Sequence, residues 1–409
     1  MSKLEDLINE LCPNGIEYRE LSDICQIVKG QGLFKEDKGL GNVPIILYGE
    51  LYTTYGNYIY NVVSSTSTDK ILKSPVVNKT DLLLPLSSTT KEAQIGKVSS
   101  YRGDYPAYLG GDALILRHTQ NDGFLVHLLN GSWFEKLKMK CVKGTTINHL
   151  DYKKMMQIKI PVPPIEIQEK IVKILDNFTE LTAELTAELT ARKKQYEYYR
   201  NKLLTFEDEI SMKALGDVCD VIAGGTPSKK NSEFWDGGTI KWLGSTVCQN
   251  QKTVNSITDY ITEQGLASSS AKMMKKDTTL IALVGATIGK VAFLPFEAAI
   301  NQNIAGVYPK DITVLDPSYV YYACTTLYPK FLALTQGSKL AMANLSFVRG
   351  LQIPVPPMGI QKRLVYVLDN FEVICSDLNI GLPAEIEARQ KQYKYYRDKL
   401  LTFKDVGKC

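Results

Sequence analysis

The sequence predicts an α+β fold in which two mixed α/β domains are separated by two long antiparallel coiled-coil helices, related by an internal pseudo-two-fold repeat. Three observations lead to this prediction: a long duplication, an apolar heptad stripe in each copy, and short β-rich runs before each stripe. The chain has 409 residues, of which 44% are hydrophobic and 22% charged. That length and composition are typical of a globular protein with two or three domains.

The duplication is plain in two pairs of segments. Residues 160–178 read IPVPPIEIQEKIVKILDNF and residues 353–371 read IPVPPMGIQKRLVYVLDNF, with 12 of 19 positions identical. Residues 192–206 and 389–403 share 12 of 15 positions at an offset of 197 instead of 193, so the second copy holds four extra residues. A repeat of this length indicates duplicated domains. The predicted segments are a first variable domain with its N-terminal extension (1–157), a central helix (158–206), a second variable domain (207–350) and a C-terminal helix (351–409).

A long helix is predicted in each matched region. Pro163 and Pro164 suit its first turn, and no Gly or Pro interrupts residues 165–206. Apolar residues recur there at steps of three and four, a heptad pattern with one four-residue stutter. A helix this long, about 60 Å at ~1.5 Å per residue, needs a partner to cover its stripe. The predicted interhelix seam and spacer comprise Ile171, Ile174, Phe178, Leu181, Leu185, Leu189, Tyr196, Tyr199 and Leu203, and in the second copy Leu364, Val367, Phe371, Ile374, Leu378, Tyr393, Tyr396 and Leu400.

The second copy supplies that partner. Its four extra residues fall near Gly381, Leu382 and Pro383, where we expect the helix to break or kink. The simplest assembly packs the two helices antiparallel, with the variable domains at opposite ends. The alternative is that each stripe is the buried face of an ordinary core helix.

The variable regions show the pattern of mixed α/β structure. Residues 43–51, 279–284 and 291–294 are short β-rich runs bounded by turn residues, and we expect strands there. Glycine-containing loops open early in each half, at residues 30–32 and 224–227. The order of the strands does not follow from the sequence.

Motifs of nucleotide- or metal-dependent enzymes are missing from the sequence. Residues 285–290 (GATIGK) fall short of a phosphate loop, because three residues instead of four separate the glycines and Val291 replaces Ser or Thr. Ile165 and Met358 follow the Pro-Pro pairs, where an adenine methyltransferase motif has an aromatic residue. The eight cysteines and three histidines lack zinc-ligand spacing. We expect no catalytic residue, no metal site and no cofactor bound by this chain.

The N-terminal segment MSKLEDLINE is acidic and amphipathic, unlike a signal peptide. No apolar run approaches the ~20 residues of a membrane span, and the cysteines form no disulfide-like pattern. These features predict a cytoplasmic protein. The net charge of +4 is too small to indicate a nucleic-acid partner, although a local basic face remains compatible with it.

Polar loop residues beside glycine are the candidates for recognition. Lysine contacts phosphates and guanine, and Asn or Gln can bind adenine with two hydrogen bonds. Taken singly, such a residue is more often a solvated loop residue. The candidate DNA-binding residues are Lys29, Gln31, Lys35, Thr89, Thr90, Lys91, Lys143, Thr145, Thr146, Thr226, Ser228, Lys229, Lys230, Ser245, Lys290, Asn301, Gln302, Asn303 and Lys339.

Together these features resemble the specificity (S) subunits of type I DNA restriction–modification systems. Ile-Pro-x-Pro-Pro opens each matched region, and Gln168 and Gln361 follow at the family's place. The tandem Thr-Ala-Glu-Leu at residues 182–189 is similar to the TAEL repeats of the IC group. Residues 225–228 and 301–302 are similar to the family's recognition signatures, whereas Gly-Gly-Asp at 110–112 departs from the Asn-Gln-Asn at 301–303.

The resemblance implies a non-catalytic subunit that reads a bipartite, asymmetric double-stranded DNA site. It implies two modification (M) subunits as partners, which bind S-adenosylmethionine and methylate adenine. Where two restriction (R) subunits are present, they add ATP- and Mg-dependent translocation and cleavage. Two functions of other classes stay open: a divergent single-chain DNA methyltransferase, and a helical scaffold without a DNA role.

Overall fold

The computed structural model describes residues 2–88, 94–144, 147–206, 210–254, 256–335, 342–376 and 381–404. The chain divides into two compact units. The first unit comprises Met1–Glu184 together with Glu387–Cys409, and the second comprises Leu185–Ile386. The first unit therefore contains both the beginning and the end of the chain.

Helices and strands are both present throughout the described parts of the chain. The helices are α1 (Ser2–Leu11), α2 (Leu21–Ile24), α3 (Tyr48–Thr53), α4 (Asp122–Leu129), α5 (Ser132–Lys138), α6 (Tyr152–Met156), α7 (Ile165–Leu203), α8 (Leu215–Val218), α9 (Glu263–Ala267), α10 (Pro317–Thr325), α11 (Tyr328–Thr335), α12 (Leu345–Gly350), α13 (Met358–Ser376) and α14 (Leu382–Leu400). The strands are β1 (Tyr18–Glu20), β2 (Cys25–Lys29), β3 (Val43–Ile46), β4 (Tyr58–Ile59), β5 (Ser64–Thr66), β6 (Val76–Val77), β7 (Leu82–Pro85), β8 (Ser87–Ser88), β9 (Ser99–Tyr101), β10 (Ala107–Leu109), β11 (Ala113–His118), β12 (Val142–Lys143), β13 (Asn148–Leu150), β14 (Lys159–Pro161), β15 (Met212–Ala214), β16 (Cys219–Ala223), β17 (Ile240–Leu243), β18 (Gln251–Thr253), β19 (Asp259–Ile261), β20 (Lys272–Met274), β21 (Thr279–Ala282), β22 (Val291–Phe293), β23 (Ala298–Ile300), β24 (Ile304–Pro309) and β25 (Gln352–Pro354).

The first unit is built around a sheet of strand order β2-β11-β7-β9-β4. Its central strands are continuous apolar runs because both faces are covered. Leu82 and Leu84 point into one buried cluster, while Leu83 and Ile115 point into another on the opposite face. Further sheets of order β5-β3-β10-β6, β12-β13-β8 and β1-β14 complete the unit.

The second unit repeats this topology. Its main sheet has the order β16-β24-β21-β22-β18, beside sheets of order β19-β17-β23-β20 and β15-β25. As in the first unit, successive residues of the central strand β21 point into different cores, Leu280 into one and Ile281 into the other. The matching strand orders confirm the predicted internal repeat and the α+β fold class.

The long helix is confirmed, and so is the break in its second copy. Helix α7 runs for 39 residues without interruption. In the second copy Gly381 is not helical and α14 begins at Leu382 with Pro383 in its first turn, so the helix is interrupted at Gly381, as these residues predict.

One predicted strand is partly wrong. Strands β21 and β22 lie within residues 279–284 and 291–294, but β3 ends at Ile46 and Tyr48–Thr53 is helical. The Glu50 carboxylate accepts a hydrogen bond from the Leu47 N–H at 3.0 Å and so caps this short helix. The Val, Ile and Tyr residues of 43–51 are typical of a strand, and the local cap outweighs this preference.

Candidate nucleic-acid interface

In the second unit, the loop after β16 meets the turn before β24. The N–H of Gly225 donates to the Ile300 carbonyl at 3.0 Å, and a Cβ on Gly224 would lie 1.7 Å from that oxygen. This close approach requires glycine. It brings Thr226 beside Gln302, and the Thr226 hydroxyl donates to Gln302 Oε1 at 2.7 Å. Gln302 is exposed, and because this bond uses its Oε1, the Nε2 of its amide is left for other partners.

The two asparagines beside Gln302 serve the turn. Asn301 is only 7% exposed, and its side-chain oxygen accepts from the Asn303 N–H at 3.0 Å. Asn303 is half-buried, and its carbonyl accepts from the Leu283 N–H at 2.9 Å. The Asn301 side chain therefore stabilises the turn, and its direct DNA contact stays a prediction.

Two tryptophans hold the lysine-bearing loop of the second unit. Ser228, Lys229 and Lys230 are exposed on this loop. Trp235 donates its indole N–H to the Ser228 carbonyl at 3.2 Å, and its ring lies 5.8 Å from Lys229 Nζ. Trp242 donates to the Gly225 carbonyl at 3.0 Å and packs edge-on against Trp235. The sequence-based candidates omit both tryptophans, although two of the three in the chain flank this loop.

The remaining candidates of the second unit lie on other turns of the domain. Lys290 is half-buried, with Nζ 3.4 Å from the Gln249 side chain, at the end of the tight turn that joins β21 to β22. Gly289 has a φ of +74° in that turn, a backbone conformation that favours glycine. Ser245 is half-buried at the start of a 3₁₀ turn, and Lys339 lies outside the described residues.

In the first unit, Lys29 and Lys143 lie near consecutive residues of one segment. Lys29 Nζ is 5.3 Å from the centre of the Tyr152 ring, and Lys143 Nζ is 3.2 Å from the Asp151 carboxylate. The pKa of Asp151 is lowered by a hydrogen bond from the Lys154 N–H and by Lys143. On the adjoining strands His149 Nδ1 lies 2.8 Å from Ser87 Oγ, a pair that the sequence-based candidates omit. Thr89, Thr90, Lys91, Thr145 and Thr146 lie outside the described residues.

Gln31 and Lys35 are exposed on the loop that follows β2. The Gln31 carbonyl accepts from Ser74 Oγ at 2.6 Å, which fixes the loop at its base. The Phe34 N–H donates to the Asp37 carboxylate at 2.9 Å and begins a 3₁₀ turn that carries Lys35. Beside this loop opens a cavity of about 700 Å³.

An aspartate at the same place in each matched helix, Asp176 in α7 and Asp369 in α13, forms hydrogen bonds with side chains of the rest of its unit. In the first unit Asp176 Oδ1 lies 2.7 Å from the Tyr58 hydroxyl and 2.8 Å from Nε2 of the fully buried His127. His127 Nδ1 is 2.9 Å from the Tyr393 hydroxyl, so α14 is tied into the same network. Phe178 also stacks on Tyr396, with ring centres 5.3 Å apart. The C-terminal helix is therefore part of the first unit's core.

The second unit has the same arrangement with different partners. Asp369 accepts hydrogen bonds from Tyr322 and Lys252. Phe371 packs against Tyr196 and Tyr199 from the second half of α7, each with ring centres 6.4 Å apart. Pairing of α7 with a second helix is therefore present in this unit, as the heptad pattern predicts.

Some predicted seam positions are not buried in the described chain. Leu181, Val367 and Ile374 are 45%, 39% and 46% exposed, whereas Leu368 and Cys375, which are outside the predicted seam, are buried. The variable domain of each unit covers part of its long helix, and this shifts the buried stripe away from a strict interhelix seam. Tyr199 is 40% exposed despite its contact with Phe371. Leu378 lies outside the described residues.

Among the residues described by the structure, no group of three or more His, Cys, Asp or Glu side chains is placed to hold a metal ion. Within the same residues, no helix is both long and apolar enough to cross a membrane.

Comparison with protein families gives a match to each half of the chain. The model of the type I restriction modification DNA specificity domain matches residues 13–192 and 207–388. The specificity subunit of the Escherichia coli type I restriction enzyme EcoR124I/EcoR124II is 40% identical over 260 residues, which are 60% of this chain and 64% of that protein. A putative type I restriction enzyme specificity subunit of Haemophilus influenzae is 32% identical over 300 residues, covering 69% of this chain and 72% of that protein.

Solved structures of such subunits share the fold. A chain from a study of complex assembly and conformational transition of the type I restriction–modification system superposes with a TM-score of 0.65 at 17% identity, covering 95% of this chain and 97% of that chain. The S subunit of a type I restriction–modification system from M. genitalium superposes with a TM-score of 0.54 at 16% identity, covering 95% of this chain and 96% of that chain.

Proposed function

The chain belongs to the type I restriction–modification DNA specificity family, and from this premise we propose that it reads a bipartite, asymmetric DNA site and holds the modification and restriction subunits on it. Each unit would read one half-site, because each contains its own copy of the main sheet, of order β2-β11-β7-β9-β4 in the first unit and β16-β24-β21-β22-β18 in the second.

The observation that carries the proposal is that the two units share one topology but present different side chains at equivalent positions. The carbonyls of Asp112 and Asn303 accept matching bonds from Leu86 and Leu283, which places residues 110–112 and 301–303 at equivalent positions. At those positions the second unit presents a polar pair, Thr226 and Gln302, and the first unit presents glycines. Two copies of one scaffold with different side chains at the same place suit two different half-sites.

A repeated exposed tyrosine supports docking of two copies of one partner. Tyr198 and Tyr395 occupy the same place in the two matched helices, and each is 61% exposed. Each packs edge-on against the next tyrosine, with ring centres 5.3 Å apart. Exposed, oriented tyrosines are frequent anchors of protein interfaces. We therefore assign one modification subunit to each matched helix, and restriction subunits where the system has them.

We assign the catalytic steps to the modification and restriction subunits. We expect S-adenosylmethionine on the modification subunits, and ATP with Mg on the restriction subunits. This chain contributes recognition and positioning, in agreement with the lack of catalytic motifs in its sequence.

Methylome mapping tests the proposed function. The chain is co-expressed with its modification subunit in a host without adenine methylation, and methylated adenines are mapped across the genome. We expect methylation of a two-part motif, and none from either protein alone. Methylation by this chain alone would support a single-chain methyltransferase, and failure of the complex to shift any duplex in a gel would support a scaffold.

A domain exchange assigns each half-site. Replacing residues 18–157 with the matching segment of another specificity subunit should change the bases of one half-site only, because that segment belongs wholly to the first unit. A simultaneous change in both half-sites would contradict reading by separate units.

Substitution of the two exposed tyrosines tests the docking of modification subunits separately from DNA recognition. We expect Tyr198→Ala and Tyr395→Ala each to weaken one of two binding events in native mass spectrometry, and the double variant to weaken both. The half-buried Tyr396→Phe is the matched control, since it keeps the stacked ring.

A further inference from the structure

The cavity beside the loop of Gln31 and Lys35 has an apolar floor and an apolar mouth. Leu33 and Leu47 form buried parts of its lining, 3% and 8% exposed. Phe34 and Val63 also line it, yet 65% and 63% of their surfaces are exposed. Concave sites with apolar walls and a few fixed polar groups are typical of ligand-binding sites.

The place of the cavity connects it with recognition. Gly111 lines the cavity and is equivalent to Gln302, as the matching backbone bonds of Asp112 and Asn303 show. Gly32 takes the place of Thr226 by the same alignment of the two halves. A Cβ on Gly111 would meet nothing within 4 Å, so the space filled by an amide side chain in the second unit is open here. The first unit thus offers a concave apolar surface where the second unit offers a hydrogen-bonding one.

The charged groups around the cavity are compatible with DNA. Lys35 is exposed at its edge. The buried Glu50 is paired with Lys38 at 2.7 Å and also accepts from the Leu47 N–H and the Ser64 hydroxyl, so its charge is balanced inside the protein. Asp112 is exposed at the rim and offers a carboxylate, which accepts hydrogen bonds from exocyclic amino groups of bases.

We propose that this cavity reads a thymine of the first half-site through its 5-methyl group, an inference that rests on the proposed function. The thymine methyl is the apolar group that base pairs present in the major groove. In a T·A pair it lies near the adenine amino group, so a methyl-binding mouth formed by Phe34 and Val63 beside the Asp112 carboxylate complements both. Lys35 then lies near the phosphates. The second unit reads its bases with the Gln302 amide instead.

Deoxyuridine substitution tests this proposal with the complete complex. Once the target is mapped, each thymine of the duplex is replaced by deoxyuridine, which removes only the methyl group, and the affinity of the complex is measured. Burial of one methyl group corresponds to about a fourfold change in affinity. We therefore expect one thymine of the first half-site to lose about fourfold when replaced.

Protein variants locate the effect. Phe34→Ala and Val63→Thr should bind the thymine duplex about as weakly as the native complex binds the deoxyuridine duplex, and should no longer distinguish the two. Leu40→Ala is the matched control, because Leu40 is an exposed apolar residue of the same unit, 53% exposed, outside the cavity lining. It should retain the full discrimination.

The outcomes separate this inference from the proposed function. Specific binding with no thymine in the first half-site, or with no loss on any deoxyuridine substitution there, overturns the methyl-reading site and leaves the specificity function intact. Loss of all sequence-specific binding by the native complex would overturn the proposed function itself.

Discussion

Replacing Gln361 with Leu tests how each recognition domain is fixed to its helix. Gln361 is fully buried, and its amide joins the start of α13 to the turn before α10. Its Nε2 donates to the carbonyls of Pro356 at 2.7 Å and Val314 at 2.9 Å, and its Oε1 accepts from the Asp316 N–H at 2.8 Å. Leucine has a similar volume and none of these bonds.

The magnitude follows from the groups left without partners. A buried donor or acceptor without a partner costs about 1–3 kcal/mol. Val314 is 55% exposed, so water can replace its partner, but Pro356 is buried and Asp316 half-buried. Two unpaired groups predict a loss of about 2–6 kcal/mol in the free energy of unfolding of the second unit.

The assay combines urea unfolding with hydrogen exchange of the α10 amides, because a two-unit chain need not unfold in one step. Faster exchange should be confined to the second unit. Gln392→Leu, at an exposed position of α14, is the control and should change stability by less than about 0.5 kcal/mol. Equal effects of the two substitutions would refute the reasoning. The Gln168→Leu variant should repeat the effect in the first unit, where Gln168 bonds the Pro163 carbonyl and the Asn121 N–H as Gln361 bonds their counterparts, and makes its third bond to the Gln120 side chain.

Three further predictions follow from the spacer, the loop and the first unit's charge pairs. Adding one Thr-Ala-Glu-Leu copy within residues 182–189 lengthens α7 by about 6 Å. Methylome mapping should then show about one or two more base pairs between the two half-sites, with the bases of each half-site unchanged. An unchanged distance between the half-sites at full activity would show that this helix does not set that distance. Lys229→Ala should weaken binding to all sequences and reduce the slope of log affinity against log salt by about one, whereas an unchanged slope would show that Lys229 contacts no phosphate. Burial opposes ionisation of Asp122, but hydrogen bonds from Arg102 and Ser100 outweigh it and lower its pKa; its stabilising effect is therefore present above the unfolded-state pKa of about 4 and is lost as the pH falls through the folded value. The acid unfolding curve of Asp122→Asn should accordingly be flatter than that of the native chain in this range, and parallel curves would contradict the assignment.

Much of the candidate site could be anticipated, because recognition loops show a local signal. Gly30 and Gly224 stand where the backbone closely approaches a neighbouring segment, and Gln31 and Ser228 beside them are exposed. The role of Asn301 could not be anticipated, because Asn301 and the exposed Gln302 carry the same carboxamide group and only the structure shows their difference in burial. Trp235 and Trp242 act through contacts with a loop seven to seventeen residues away, which no periodicity encodes.

The sequence by itself determined the duplication, the α+β class, the uninterrupted helix α7 and the break beside Gly381. These features depend on repeats, on apolar spacing and on Gly and Pro, all of which act within a few residues of the chain. Only the tertiary structure decided that residues 387–404 complete the first unit, where Tyr393 meets His127 and Tyr396 stacks on Phe178. It also decided that Gly111 lines a cavity in the first unit, whereas the equivalent Gln302 presents a side-chain amide in the second unit. Both depend on contacts between residues far apart in the chain, and these contacts form only when the sheets and helices pack.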